Sequence, residues 1–97
     1  MFQRTKQKLT LINTDDSSSF WVNGGGVLRN LKDLKDALVQ MGEDTFKYHV
    51  NAEKNDFAAW VKEILKDEVL AGRILKSKTA KAAAKAIETR LKRYGIE

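Results

Sequence analysis

The amino-acid sequence predicts a mainly α-helical fold, a compact domain of four to five helices with a small N-terminal β-hairpin. The helices are indicated by apolar residues that recur at helical spacing after residue 30, in runs preceded by residues suited to cap a helix. The hairpin is indicated by residues 20–22 and 27–29, which flank Asn-Gly-Gly-Gly. Asparagine followed by glycine favours the positive φ angles of a tight hairpin turn.

The length of 97 residues predicts a single domain, 1–97, in three parts. Residues 1–19 are expected to form a basic strand, at 8–12, and a polar connector. Residues 20–76 form the hairpin and helical core, and residues 77–97 form a basic C-terminal helix. The chain has no cysteine for a disulfide or a thiolate ligand, and no apolar run approaches the roughly 20 residues of a membrane span. We therefore expect a cytoplasmic protein with no membrane contact and no cofactor.

The first two helices are placed by their caps. Asn30 is a favourable N-cap, so the first helix is expected to begin at Leu31. Gly42 is expected to end it in the left-handed conformation that glycine adopts readily. Asp44 is then expected to cap a short helix over residues 46–50.

The later helices are placed in the same way. Phe57 and Trp60 fall on one face of the next helix together with further apolar residues, which predicts that this face is buried. The expected caps of the next two helices are Asn55 or Asp56, and Asp67. The last helix is expected to start near Ser77 or Thr79.

The centre of the chain holds its densest aromatic pattern, Phe46-x-x-His49-Val50-Asn51 followed by Asn55-Asp56-Phe57-x-x-Trp60. Together with the hairpin and the Leu-x-x-Leu-x-x-x-Leu helix before it, this order resembles a family of small domains of unknown activity. Such domains occur in archaea and some bacteria, alone or attached to larger proteins. The resemblance covers about residues 20–76 and leaves out the basic ends. It implies an intact domain of intracellular origin and supplies no mechanism.

His49 is the only histidine of the chain, and two roles are open for it. With Asn51, Glu53 and Asp56 it forms a candidate acid–base or metal cluster. One histidine without cysteine makes a weak metal site. We therefore favour a structural role in which the ring packs on its helix face and one ring nitrogen bonds to the backbone of the polar elbow at residues 51–54. No catalytic or metal-ligating residue is assigned, and we expect a non-enzymatic protein.

The aromatic residues also allow two interpretations. Phe57 and Trp60 are candidates for a platform that stacks single-stranded nucleic acid, but their shared apolar face favours burial in the core. Trp21 and Tyr48 lie off the predicted apolar faces and are candidates for a surface that contacts a partner.

The net charge of +5 is concentrated at the two ends of the chain: residues 1–10 carry +3, residues 11–72 carry −4 and residues 73–97 carry +6. On one continuous helix, four lysines of the last segment would lie within a sector of roughly 60°. Such lysines can contact successive phosphates without reading bases, although a solvated face is the alternative. We therefore predict binding of DNA or RNA, and the candidate residues are Lys78, Lys81, Lys85, Lys92 and Arg93 near the C-terminus and Arg4, Lys6 and Lys8 in the N-terminal tail.

The same C-terminal helix supports a second hypothesis, a protein-interaction or assembly module. Its small and apolar residues recur along one seam that can pack closely against a partner protein or a second copy. The residues of this alanine seam are Ala80, Ala84, Ile87, Leu91 and Tyr94.

Overall fold

Five helices and one small hairpin make up the computed structural model, which describes residues 9–96. This architecture confirms the predicted fold class. In chain order the elements are a 3-10 turn at Asp16–Ser18, β1 Phe20–Trp21, β2 Val27–Leu28, α1 Leu31–Gln40, α2 Glu43–His49, α3 Asp56–Glu63, α4 Glu68–Leu75, α5 Ala80–Leu91 and a 3-10 turn at Lys92–Tyr94.

The hairpin forms where the sequence predicts it. Phe20 pairs with Leu28, and Trp21 pairs with Val27, in antiparallel register. The three glycines of the turn have φ angles of 94°, 123° and 106°, a region that residues with a Cβ atom rarely adopt. The glycine run is therefore explained by the turn that the two strands require.

Side-chain caps begin four of the five helices. Three of them are caps that the sequence predicts, and the fourth, Thr79, lies where the last helix is predicted to start. In each case the side-chain oxygen accepts a hydrogen bond from the amide three residues later, which satisfies a donor that the helix itself cannot pair. The cap and amide pairs are Asn30 with Asp33, Asn55 with Ala58, Asp67 with Leu70, and Thr79 with Ala82.

The junction between α1 and α2 differs from the prediction. Helix α1 ends at Gln40, and Gly42 has a φ angle of −76° and is the N-cap of α2. The left-handed cap predicted at Gly42 is therefore wrong, and Asp44 lies in the first turn of α2 instead of capping it. Two residues connect these helices, so the chain enters α2 directly from an extended segment.

The predicted strand at residues 8–12 is wrong for residues 9–12, which form no regular structure, while Lys8 lies outside the described residues. Leu9 donates its amide to the carbonyl of Arg93 at 2.9 Å. Leu11 and Ile12 are half-buried against the core. The apolar residues of this segment thus contribute to the core without a neighbouring strand.

One hydrophobic core connects the hairpin with all five helices. Helix α1 packs against α5, α3 packs against α4, and α4 packs against α5. The largest side chains with almost no exposed surface are Phe57, Leu31, Leu34, Leu38, Leu70, Ile74, Ile87 and Val61. Among residues 9–96, no helix has the length and apolar composition that crossing a membrane requires.

Candidate nucleic-acid interface

The candidate lysines near the C-terminus are all exposed, but they do not lie on one continuous helix. Lys81 and Lys85 are on α5. Lys78 precedes the N-cap Thr79, and Lys92 begins the closing 3-10 turn. The angular sector predicted for a single helix therefore applies only to Lys81 and Lys85. Lys78 and Lys92 extend the basic surface beyond the two ends of α5.

Most of these cations lack an acidic partner within the described part of the chain. Lys85 lies 3.4 Å from Glu88, and both side chains are well exposed, so this ion pair is weak. No carboxylate among residues 9–96 forms an ion pair with Lys78, Lys81, Lys92 or Arg93, whose side chains are exposed. Their charge is therefore available to a polyanion.

The predicted N-terminal contacts Arg4, Lys6 and Lys8 lie outside the described residues. The Leu9 amide bonds to the Arg93 carbonyl. The described chain therefore begins beside the closing turn, which contains Lys92 and Arg93.

Arg90 does not belong to the outer basic surface, because its guanidinium turns inward to Asp67. Its Nε and Nη2 donate to the two Asp67 carboxylate oxygens at 2.9 and 3.0 Å. The Tyr94 hydroxyl donates to the same carboxylate at 2.7 Å, and the Leu70 amide donates at 3.0 Å. Asp67 is 4% exposed. Four donors therefore converge on one buried carboxylate, which joins the start of α4 to the end of α5.

Two pKa values reflect this cluster of Asp67, Arg90 and Tyr94. Burial acts to raise the pKa of Asp67, but the hydrogen bonds from Arg90, the Leu70 amide and Tyr94 outweigh it and lower the pKa below 3.8. Burial is the larger cause that raises the pKa of Tyr94 well above 10.0, and the hydrogen bond to the Asp67 carboxylate raises it further. Asp67 is thus ionised, and Tyr94 is neutral, across the physiological pH range.

The stability of the protein in acid is expected to depend on Asp67. Because the folded-state pKa of Asp67 is lowered, its carboxylate stabilises the fold above the unfolded-state pKa of about 3.9. This contribution is lost as the pH falls through the lowered folded-state pKa. The difference between the urea midpoints of the wild-type protein and Asp67→Asn should therefore narrow progressively as the pH is lowered below about 4. A difference that stays constant over this range would contradict the assignment.

The environment of His49 is structural, as the sequence favours, although its bonds differ from those predicted. The ring is 4% exposed and lies 5.0 Å from Phe20 and 5.1 Å from Phe57, centroid to centroid. Its Nε2 accepts the amide of Asn23 in the hairpin turn at 3.0 Å, and its Nδ1 lies 3.0 Å from Asp56 Oδ2. The predicted bond to the elbow after α2 is thus replaced by a bond to the hairpin.

These contacts determine what the histidine can do chemically. Since Nε2 accepts a hydrogen bond from Asn23, it carries no hydrogen in the neutral ring. The ring hydrogen is therefore on Nδ1, which donates to Asp56. A general base needs a free ring nitrogen that faces a substrate, and both nitrogens of His49 are bonded within the chain. Among the described residues, no group of three or more histidine or carboxylate side chains is arranged to hold a metal ion.

Asp56 completes this arrangement by accepting two bonds. Its Oδ2 also receives the Lys54 ammonium at 3.1 Å. Partial burial acts to raise the pKa of Asp56, whereas the hydrogen bonds from His49 and Lys54 lower it below 3.8. The ionised carboxylate therefore orients the imidazole that binds the hairpin turn.

The two interpretations of the aromatic residues are separated by their burial. Phe57 and Trp60 are core residues, and the Trp60 indole donates to the Ser18 carbonyl at 2.8 Å. They offer no stacking platform. Trp21 and Tyr48 are 65% and 55% exposed, in agreement with the expectation that they lie at the surface.

The alanine seam of α5 faces the interior of this chain. Ala84, Ile87 and Leu91 are buried in the hydrophobic core, and Ala80 and Tyr94 are half-buried against it. Helices α1 and α4 cover this side of α5. The buried part of the seam, at Ala84, Ile87 and Leu91, is therefore occupied by the chain's own helices and offers no free face to a partner or a second copy.

Known proteins give no additional guide to the site. Comparisons with protein-family models, curated sequences and solved structures found no match. The resemblance of residues 20–76 to a family of small domains stays a prediction. Any function must be argued from this chain's own geometry.

Proposed function

We propose that this protein is a small non-enzymatic domain that binds nucleic acid through phosphate contacts. The observation that carries the proposal is the exposed cationic surface along α5 and its two ends, which has one weak ion pair within the described residues. The opposite face of α5 is anchored in the core. The cations are thus presented on a helix whose position is set by packing.

The chemistry of lysine determines the expected mode of binding. Its ammonium group is a point charge that contacts phosphate and does not match one base edge in preference to another. The affinity for unrelated duplexes of equal length should therefore be similar.

Binding is expected to depend steeply on salt. Contacts from Lys78, Lys81, Lys85 and Lys92 release about four counterions from duplex, which gives a slope of about −4 for log K against log salt concentration. Replacing all four residues by glutamine should make the slope shallower by about four units and weaken binding at physiological salt, leaving only the contacts of the remaining candidate cations. Fluorescence anisotropy with a labelled duplex measures both quantities.

A matched control separates this surface from net charge alone. Lys32, Lys47, Lys62 and Lys66 are exposed lysines outside α5 and its ends, so replacing them by glutamine changes the net charge equally. This control variant should keep a slope of about −4. A wild-type slope near zero, or equal losses in the two variants, would contradict the proposal.

A protein-interaction module is the second candidate function. The alanine seam does not support this candidate, because the seam packs against the core. The observation that favours it is the exposure of the two aromatic residues Trp21 and Tyr48, since large exposed aromatics are enriched at protein interfaces. The salt series distinguishes the two candidates. A domain that only contacts proteins through these aromatics would not bind the labelled duplex at any salt concentration.

A further inference from the structure

A groove of about 550 Å³ lies on the side of the molecule where α2 meets the junction of α4 and α5. Its volume falls within the range of about 300 to 1,000 Å³ that is typical of small-molecule sites. The apolar wall consists of Phe46, Val50, Ala52, Leu75 and Ala80. Leu75 is 63% exposed, so a ligand in the groove would remove a large apolar side chain from water.

Most polar side chains of the groove already bond within the chain, and Ser77 donates its hydroxyl to the Arg73 carbonyl at 3.0 Å. The Asn51 side-chain oxygen already accepts the amides of Glu53 and Lys54, and the Thr79 hydroxyl oxygen accepts the amide of Ala82. The Asn51 side-chain NH₂ group has no acceptor within residues 9–96. The groove therefore suits a ligand that brings its own hydrogen-bond acceptor.

The charges at the rim favour an anionic acceptor. Glu43 forms only a weak, exposed ion pair with Lys47 at 3.4 Å. With Lys78, these charged side chains nevertheless give the rim a net charge of +1. Lys78 also lines the groove and has no ion-pair partner among the described residues. One cation is thus available beside an apolar wall.

We propose that this groove binds a small free molecule with an apolar chain and a terminal carboxylate. The chain lies against Phe46, Val50 and Leu75, and the carboxylate accepts from Lys78 and Asn51. Charge complementarity selects this ligand over an amine of the same shape. The proposal does not rest on nucleic-acid binding. The two sites share Lys78, and the other residues of the groove are not part of the proposed nucleic-acid interface.

The first test compares two probes of opposite charge by NMR titration of the ¹⁵N-labelled protein. Octanoate is expected to cause saturable amide shifts at Asn51, Leu75 and Lys78. Octylammonium should bind at least about tenfold more weakly, which corresponds to the loss of one charge-assisted hydrogen bond. Equal affinity for the two probes, or shifts that do not saturate, would overturn the proposal.

Two pairs of variants test the residues. Leu75→Gln and Val69→Gln alter exposed apolar residues of the same helix, α4, and of the two only Leu75 lines the groove. Lys78→Glu and Lys81→Glu alter neighbouring exposed lysines, of which only Lys78 lines it. Leu75→Gln and Lys78→Glu should each weaken octanoate binding by about tenfold, while the two controls leave it unchanged. Equal effects within either pair would contradict the site.

A peptide probe tests whether the occupant is a free molecule. N-acetyl-Ala-Ala-Leu presents an apolar side chain beside a terminal carboxylate, as a protein C-terminus would. It should bind no more tightly than octanoate. An affinity tenfold or more above that of octanoate would overturn the assignment to a small free molecule.

Discussion

Replacing Asp67 by asparagine is expected to lower the free energy of unfolding by about 3 to 5 kcal/mol, the usual loss when one partner of a buried ion pair is removed. The Arg90 side chain is 11% exposed and would lose its counter-charge. The asparagine amide would also place N–H donors toward the donors of Arg90 and Tyr94. Urea denaturation at neutral pH measures the loss.

An exposed ion pair provides the control for this substitution. Asp16 lies 2.8 Å from Arg29, and its side chain is 86% exposed. Asp16→Asn should therefore cost less than about 1 kcal/mol. Arg90→Met in the Asp67→Asn background should restore part of the lost stability, because it removes the unpaired buried charge. Equal losses in Asp67→Asn and Asp16→Asn would show that the buried cluster does not stabilise the fold.

The Asp67 cluster also bears on the proposed interface. Arg90 and Tyr94 belong to α5 and the closing turn, which carry Lys81, Lys85 and Lys92. The bonds to Asp67 therefore hold the lysine-bearing end of the chain against α4. At the same time they remove Arg90 from the surface. The C-terminal segment thus contains cations of two kinds, one that holds the fold together and others that stay exposed.

The features of the fold that the sequence predicts best depend on short stretches of chain. Asn30, Asn55 and Thr79 cap helices by bonding to amides three residues later, and residue types alone indicate such contacts. The same holds for the hairpin at Asn-Gly-Gly-Gly. Helical periodicity likewise predicts the burial of Phe57 and Trp60, because one face of an amphipathic helix must pack on the core.

Features that depend on distant residues are not predicted. The sequence indicates Asp67 only as a helix cap, whereas Arg90 and Tyr94 reach it from more than 20 residues away. The spacing of Arg90 and Tyr94, one helical turn apart, is the only local sign of a shared contact. The Asn23 bond to His49 is also distant in sequence. Such contacts arise from the packing of whole elements.

The candidate interface is predicted in composition better than in geometry. The exposure of Lys78, Lys81, Lys85 and Lys92 follows from their charge, and the structure agrees. Their alignment assumed a single helix, but Thr79 caps α5 after Lys78. The groove gives no sequence signal, because it is formed where α2, α4 and α5 meet and its residues come from separate segments.

Replacing Phe57 by alanine is expected to cost about 3 to 5 kcal/mol of stability, the usual range for removing a large buried aromatic. Phe57 has no exposed surface, and its ring lies 5.0 Å from that of Phe20 and 6.0 Å from that of Phe46. It also contacts the His49 ring. The substitution therefore leaves a cavity where the hairpin, α2 and α3 meet. Urea denaturation, monitored by far-UV circular dichroism, measures the loss of stability.

Trp21 provides the matched control, because it is an aromatic residue of the hairpin that is 65% exposed. Trp21→Ala loses part of one cross-strand contact, with Val27, and should cost less than about 1 kcal/mol. Phe57→Leu should lie between the wild-type protein and Phe57→Ala, since leucine fills part of the cavity. If Phe57→Ala costs no more than Trp21→Ala, the central aromatic cluster does not form the core, and the positions of the hairpin and α2 need another explanation.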